Sequence, residues 1–239
     1  MTAARPAQRG RAGVAEAVWA ALDTVMDPEL DEPITDCGFV ESSTVSDDGV
    51  ATVRLRLPTF FCAPNFSFLM VADAHDAVAA VDGVRHAVVT LDDHHASAEI
   101  NVGVAAQAGF VAAFEGEATA ELDELREEFL SKAAIAGQDR VAQPLVDDGA
   151  GPDELAAMVL GEVPPSAALD RLRDRRARLG LPHGDDAPLL MHPDGSRVTT
   201  AQVPLHLRRA RLRRVGIEAN GHICREIMKT KIATAVGSP

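Results

Sequence analysis

One cysteine lies where a predicted strand gives way to a predicted helix. Residues 50–57 alternate apolar residues with polar or small ones, which is the period-2 pattern of a strand, and residues 66–81 have the apolar spacing of a helix. Cys62 falls in the turn between them, and Pro64 suits the first helical position. Backbone N–H groups and the positive end of the helix dipole would then lie beside the sulfur, and they favour the thiolate that binds metals or attacks electrophiles. The alternative is a buried cysteine that packs as a small hydrophobic residue.

Two further segments hold residues with metal-ligand chemistry. Residues 27–33 contain four carboxylates and two prolines, and such acids repel one another unless a cation, solvent or salt screens them. Residues 92–95 read Asp-Asp-His-His after another predicted strand, and both residue types bind metals. Because neighbouring residues on a strand point to opposite faces, at most alternate members could bind one ion. The alternative in both places is an ordinary polar loop.

The elements that would position these residues are helices and strands between residues 14 and 91. A helix of about 13 residues begins near Val14 and ends at Asp27, since the following proline disfavours helical geometry. Strands at 39–45 and 50–57 form a hairpin, the helix after Cys62 follows, and a third strand covers 84–91. This order predicts an α+β sandwich in which two helices cover one face of a small mixed sheet.

The rest of the chain has mainly helical patterns. The predicted organisation is a flexible tail at residues 1–11, the α-β-β-α-β sandwich domain at 12–106, and a mainly helical region with a small hairpin at 115–239. Within the helical region we predict a helix over 115–136, shorter helices after 153 and 166, and a hairpin at 189–198. Residues 96–111 are small and apolar and give no clear assignment.

Composition limits the class of protein. The 239 residues carry a net charge of −13 and three cysteines, a sparse and odd set that favours a reducing cytoplasm over a disulfide framework. Residues 1–120 contain 6 basic and 18 acidic residues, a net charge of −12, which disfavours nucleic acid as a partner. No apolar run reaches the length of a membrane span.

The last predicted helices are rich in arginine and leucine. Leucines interrupt the arginines of residues 205–214 and no aromatic stacking residues accompany them, so a protein partner or an acidic face of the same chain fits better than nucleic acid. His222 and Cys224 are two residues apart, which on a helix places them about 200° apart around the axis and makes joint chelation by this pair weak.

Residues 14 to about 104 resemble the small iron–sulfur cluster assembly domain, formerly a domain of unknown function, of the type found in SufT and in the phenylacetate-degradation protein PaaD. The resemblance rests on DPEL at 27–30, ITDCGFV at 34–40 against the family's IVDLGLV, TFFCAP at 59–64 against its TxxCP turn, and DGV at 82–84. Cys37 stands in place of the family's leucine, Ala63 separates the cysteine from the proline, and residues 92–95 stand where relatives often have Pro-Trp.

The resemblance implies that Cys62 is the functional thiol and that Asp27, Glu29, Asp36 and Thr59 surround it. It implies a maturation factor, not an enzyme, that helps to insert iron or an iron–sulfur cluster into a client metalloprotein, with a multicomponent oxygenase as a natural client. The cargo would be held transiently, because one thiolate cannot chelate a cluster alone. The metal ligands would be Cys62 with Cys37, His94, His95 or Asp36, or groups of the client, and the basic tail could dock that client.

Two other functions remain open at this point. The protein could be a non-catalytic accessory or binding subunit that uses its C-terminal half, with Cys62 only packing. It could also be a thiol enzyme with Cys62 as nucleophile and His94 or His95 as base. A homodimer is a further candidate assembly for handling a cluster between two chains.

Overall fold

The computed structural model describes residues 6–116, 118 and 121–236, and these divide into two compact units. The first unit holds the described residues up to Leu122 together with those from Asn220 onward, and the second unit is Asp123–Ala219. The sequence analysis places all of 115–239 in one helical region, whereas residues 220–236 lie in the first unit. No sequence signal marks this boundary, because helix α8, Val203–Val236, continues unbroken through it.

The first unit contains a short β-ladder, a three-stranded sheet and four helices before the end of α8. Their bounds are α1 Pro6–Leu22, β1 Met26–Asp27, β2 Glu32–Pro33, β3 Val40–Val45, β4 Val50–Arg56, α2 Pro64–Ala79, β5 His86–Asp92, α3 Ser97–Ala105 and α4 Phe110–Ala113. Residues 6–11 belong to α1, where the sequence predicts a flexible tail; residues 1–5 of that tail lie outside the described residues. Pro6 is the first residue of α1, a position where its missing N–H leaves no helical hydrogen bond unmade.

The three-stranded sheet confirms the predicted α+β class and the predicted element order. β4 is central, pairing antiparallel with β3 and parallel with β5, so the sheet is mixed. Alternate side chains of the two paired strands are buried: Ala51, Val53, Leu55, Ala87, Val89 and Leu91. Helix α2 contacts β5, and α1 contacts both α2 and β3. The two helices that the sequence predicts therefore pack on the sheet, and α3, which the sequence does not predict, contacts β5 as well.

The parallel register decides where the loops lie. Leu55 pairs with Leu91 and Arg56 pairs with Asp92. Both strands therefore end at the same edge of the sheet, and the segment after β4, which contains Cys62, starts beside the segment after β5.

The second unit is helical, with the bounds α5 Asp123–Asp147, α6 Pro152–Ala157, α7 Ala167–Arg178 and the first part of α8. Ser166 caps α7 by accepting a hydrogen bond from the N–H of Leu169 at 3.2 Å. The hairpin expected at 189–198 is present as an antiparallel bridge between Met191 and Arg197.

Helix α5 begins later and ends later than the 115–136 predicted for it. Before α5, the carboxylate of Glu121 accepts hydrogen bonds from the N–H groups of Phe110, at 2.8 Å, and Val111, at 3.3 Å. These are N–H groups at the start of the short helix α4, which have no partner within a helix. The Glu121 side chain thus caps α4. The residue lies outside α5, although glutamate favours helical structure.

A buried polar network joins distant parts of the second unit. The Gln138 side chain donates to the Met191 carbonyl at 3.1 Å and accepts from the Met191 N–H at 2.9 Å. Nε2 of His206 lies 2.9 Å from Oε1 of Gln138, to which it donates. Burial, followed by the charge of His192, lowers the pKa of His206 to about 4, so this imidazole is neutral in the folded protein near neutral pH.

No helix in the part of the chain that the structure describes has the length and apolarity to cross a membrane.

The network predicts a specific pH dependence of stability. In the unfolded chain His206 binds a proton below its ordinary pKa of 6.5, whereas in the folded chain it binds one only below about pH 4. The free energy of unfolding therefore falls as the pH drops through this window. We expect His206→Gln, which keeps a donor for Gln138, to reduce the loss between pH 7.5 and pH 4.5 by about 2 to 3 kcal/mol. Urea unfolding of both chains at the two pH values measures this, and equal losses would contradict it.

Candidate functional site

Cys62 lies two residues before the first residue of helix α2. Ala63 is extended, with φ −61° and ψ 128°, and Pro64 occupies the first turn as predicted; no side chain of Ala63 caps the helix. The sulfur is half-buried, and the hydroxyl Oγ1 of Thr59 lies 3.3 Å from Sγ. The structure therefore brings Thr59 and Cys62 into contact, with the sulfur at the open start of the helix.

His94 fixes the backbone of this loop. Its Nδ1 accepts the N–H of Ala96 at 3.1 Å, so the proton of the neutral ring is on Nε2, which donates to the carbonyl of Cys62 at 2.7 Å. Ser67 Oγ is a second neighbour of Nε2 at 3.3 Å. The ring is buried, and burial lowers its pKa. Both nitrogens are thus used within the protein, and His94 positions the Cys62 loop instead of presenting a ligand or a base to the sulfur.

The other residues of the 92–95 segment each have a separate partner. These are Asp92 with Nε of Arg54 at 2.6 Å, Asp93 with Nζ of Lys231 at 2.6 Å, and Nδ1 of His95 with the Phe60 carbonyl at 3.0 Å. Among the described residues, no three His, Cys, Asp or Glu side chains are arranged to hold a metal ion. The structure therefore does not bring the candidate ligands Cys62, Cys37, His94 and His95 together as one site.

Asp27 is a buried acid and the first residue of the acidic turn, residues 27–33. Its Oδ1 accepts the N–H groups of Glu29 and Leu30, both at 2.8 Å, which closes the turn. Burial raises the pKa of Asp27 to about 6 even though these two hydrogen bonds lower it, and the charges of Glu29 and Glu32 raise it further.

Cys37 is sealed in the core, with 2% of its surface exposed. Burial raises the pKa of the Cys37 thiol far above its ordinary value, and the charges of Asp27 and Glu32 add to the effect. Asp36 is exposed and is one of the weaker contributors to the same shift. Cys37 is therefore held as a thiol, which disfavours a ligand role.

The acidic turn receives its counter-charges from the last part of α8, a contribution that the sequence analysis missed. Asn220 Nδ2 donates to Glu29 Oε1 at 3.2 Å, and Arg225 forms an ion pair with Glu32. Lys231, besides its ion pair with Asp93, donates to the carbonyl of Leu57 at 2.9 Å. Arg225 and Lys231 thus pair with acids of the same unit; both lie outside the arginine-rich residues 205–214, for which a protein partner and an acidic face of the same chain were the two roles considered.

Cys224 lies on this part of α8 and is half-buried. Burial raises the pKa of its thiol to about 11, and negative charges at Asp27, Cys62 and Glu29 raise it as well. The sequence pairs Cys224 only with His222, on the same helix. Cys224 is three residues from Gly221, four from Met228 and seven from Lys231. This spacing indicates that the four residues share one face of the helix.

Comparison with known proteins finds a match over residues 15–91, to a family described as iron–sulfur cluster assembly protein. An uncharacterized protein of Methanocaldococcus jannaschii is 31% identical over 86 residues, which are 36% of this chain and 88% of that protein. The crystal structure of a DUF59 domain of unknown function from Bacillus anthracis aligns at 21% identity with a TM-score of 0.33, covering 35% of this chain and 78% of that one. Cys62 and the acidic turn lie inside the family match, and Cys224 lies outside it.

The buried carboxyl predicts a stability gain from Asp27→Asn. Asparagine keeps an oxygen for the N–H groups of Glu29 and Leu30 but cannot ionise. Because the folded pKa of Asp27 is raised to about 6 from 3.8, the wild-type chain loses stability as pH rises through that window. Relative to wild type, the variant should gain about 2 kcal/mol between pH 4.5 and pH 7.5, measured by urea unfolding. A difference in stability between the variant and wild type that does not change with pH would contradict the raised pKa of Asp27.

The three cysteines should differ in reactivity. We expect iodoacetamide at pH 8 to modify Cys62 first and Cys224 more slowly, since a thiol pKa raised to about 11 leaves roughly a hundredfold less thiolate than the ordinary value of 9.0. Cys37 should react only after unfolding. Peptide mass spectrometry over time gives the order, and labelling of Cys37 in the native chain at the rate of Cys62 would contradict it.

Proposed function

Because this chain belongs, through residues 15–91, to the iron–sulfur cluster assembly family and so has a general role in that assembly, we propose that it is a maturation factor that helps to load iron or an iron–sulfur cluster into a client protein. The observation that best supports the proposal is the position of the Cys62 side chain. Its sulfur is half-buried, lies at the start of α2 and has the Thr59 hydroxyl 3.3 Å away.

The cargo matches the chemistry of this sulfur. Thiolate is a soft ligand, and iron in clusters is usually held by cysteine thiolates. The Thr59 hydroxyl, 3.3 Å from the sulfur, is a polar neighbour that can hydrogen-bond to it. A single sulfur holds a cluster too weakly to keep it, and weak retention is what delivery to another protein needs. Iron or the cluster is therefore a passing substrate of the protein.

The surroundings of the sulfur support a delivery role in two ways. His94 holds the Cys62 carbonyl, which fixes the backbone that carries the sulfur. The excess of acids in residues 1–120 attracts cations toward this unit. Asp27, Glu29 and Asp36 contribute to that field, and Thr59 alone among the four expected neighbours has a direct contact with Sγ.

We extend the proposal to a client in a multicomponent oxygenase system and to a cytoplasmic location. The resemblance of the motifs at 27–30, 34–40 and 59–64 to those of the PaaD type supports such a client. The sparse cysteines support a reducing compartment. In a homodimer, the second chain would be an alternative source of the remaining ligands.

The thiol-enzyme alternative needs an unprotonated nitrogen within hydrogen-bonding distance of the thiol. Nδ1 of His94 is occupied by the Ala96 N–H and its Nε2 carries the proton, so His94 does not supply that nitrogen. Nδ1 of His95 donates to the Phe60 carbonyl, which leaves Nε2 as an acceptor, but the hydrogen-bonding neighbour of the Cys62 sulfur is the Thr59 hydroxyl. The geometry thus favours the maturation role over a thiol enzyme.

Cluster transfer tests the proposal. The full chain, reconstituted anaerobically with ferrous iron and sulfide, should speed formation of the [2Fe–2S] cluster in an added apo-ferredoxin, followed by visible circular dichroism. Cys62→Ala should lower the rate by about tenfold or more, because the sulfur that accepts the iron is gone.

Cys37→Ala is the matched control, since it removes a thiol of the same unit that is sealed in the core. It should transfer at the wild-type rate. If Cys62→Ala transfers as fast as wild type, the maturation role of this sulfur is wrong.

A further inference from the structure

The loop that carries Cys62 also carries two exposed aromatic rings. Phe60 and Phe61 come directly before Cys62 and are 46% and 79% exposed. Their rings meet edge to face with centroids 5.2 Å apart, and the imidazole of His95 lies 6.0 Å from the first ring and 6.3 Å from the second. We call these three side chains the aromatic platform. Large apolar groups that gather in solvent at one place are typical of an interaction surface.

Hydrogen bonds hold the aromatic platform in place. The carbonyl of Phe60 accepts the backbone N–H of His95 at 3.1 Å and Nδ1 of the same residue at 3.0 Å. These bonds join the loop after β4 to the loop after β5, so the backbone at Phe60 and the His95 ring are positioned without a partner. A surface that is ordered before binding loses less conformational entropy when a partner binds.

A pocket of about 630 Å³ adjoins the aromatic platform at His95, which lines it. Its walls come from the first turn of α2, the start of α3 and α4. The apolar part of the lining includes Pro64, Ala96, Phe110, Ala113, Phe114 and Leu122. Helices α3 and α4 lie after residue 91, where the family match ends. Pockets of about 300 to 1,000 Å³ bury most of a ligand's surface, so this one has room for apolar side chains of a partner.

Two carboxylates line the pocket without a counter-charge. Glu99 and Glu115 are exposed, and within the described part of the chain neither has a hydrogen bond or an ion pair. Unpaired carboxylates beside an apolar surface complement a partner that carries both apolar and cationic groups. Arginine fits best, because its guanidinium binds a carboxylate through two parallel hydrogen bonds and also stacks on aromatic rings.

The aromatic platform and the pocket flank Cys62 along the chain. Neighbouring Cα atoms are about 3.8 Å apart, so the Cα of Phe61 is about 3.8 Å from that of Cys62 and the Cα of Pro64 is within about 7.6 Å of it. A protein that binds to both features therefore covers the stretch of chain that holds the sulfur.

We propose that the aromatic platform and the pocket dock a segment of the client protein that carries arginine together with leucine or phenylalanine. The inference rests on the proposed function and names the surface that the client meets. Apolar side chains of the segment fill the pocket, while its guanidinium groups pair with Glu99 and Glu115 and stack on the ring of Phe61. The acidic excess of residues 1–120 attracts such a segment to this unit.

Peptide binding tests the docking surface. The probe is a fluorescein-labelled dodecapeptide of arginine, leucine and phenylalanine. One comparison peptide has glutamate in place of arginine, and the other has serine in place of the apolar residues. Fluorescence anisotropy with the full chain should show that the probe binds about tenfold or more tightly than either comparison peptide, because only the probe satisfies both the pocket and the carboxylates.

Variants locate the bound peptide. Phe61→Ser removes an exposed ring and Glu115→Lys reverses an unpaired charge, and each should weaken binding of the probe about fivefold or more. The matched controls are Trp19→Ser, which removes another exposed aromatic side chain of this unit, and Glu16→Lys, which makes the same change of net charge on helix α1. Both controls should bind like wild type. Thermal unfolding by circular dichroism shows whether any loss reflects the fold.

The outcomes separate this inference from the proposed function. Cys62→Ala should bind the probe like wild type, since the sulfur is not part of the docking surface. If the three peptides bind equally, or if Phe61→Ser and Glu115→Lys bind like wild type, the docking surface is wrong, and the ferredoxin assay decides the role of Cys62 by its own readout. Binding of 2-phenylethylguanidinium as tight as that of the probe would also overturn the inference, because the pocket would then be a small-molecule site. Weaker binding in the two variants with unchanged controls supports it.

Discussion

The parallel pairing of β4 with β5 is the constraint on which the rest of the site depends. It aligns Arg56 with Asp92, so the loops that follow the two strands start side by side. The imidazole of His94, in the second loop, can then hold the carbonyl of Cys62 in the first. An antiparallel pairing of the same strands would place these loops at opposite ends of the sheet, and His94 could not reach the Cys62 carbonyl.

Charge balance is the second constraint. The acidic turn concentrates carboxylates near a low-dielectric core, and burial of Asp27 already moves its pKa to about 6. Arg225 and Lys231 reduce the repulsion by pairing with Glu32 and Asp93. The end of α8 is therefore an electrostatic part of the first unit, and a cationic cargo would meet an environment that is still acidic.

The parts of the fold that follow from local patterns could be predicted from the sequence. Alternation in 50–57, the proline at position 64 and the glycine after residue 82 fix the strand, turn and helix around Cys62, and the structure confirms this order. Helices α3 and α4 could not be predicted, because small residues with little apolar periodicity leave the helix assignment to tertiary packing. Helix α5 is offset because Glu121 caps a different helix.

The site was predicted less completely, because the roles of its residues depend on distant partners. His94 and His95 have the chemistry of metal ligands, yet Nε2 of His94 donates to the Cys62 carbonyl and Nδ1 of His95 to the Phe60 carbonyl, and no local pattern reveals those bonds. Cys37 and Cys62 both lie between predicted elements, and only the structure shows that Cys37 is buried whereas Cys62 is half-buried. Cys224 is 162 positions after Cys62, and only the packing of α8 on the first unit places it near the acidic turn.

The central claim is that a sulfur of this chain, and not its carboxylates alone, binds the iron. X-ray absorption at the iron edge of the full chain, loaded anaerobically with Fe²⁺, reports the atoms bound to the metal. The account predicts sulfur in the first coordination shell, with fewer sulfur atoms there in Cys62→Ala than in the wild-type chain. A shell of oxygen and nitrogen only in the wild-type chain would contradict it.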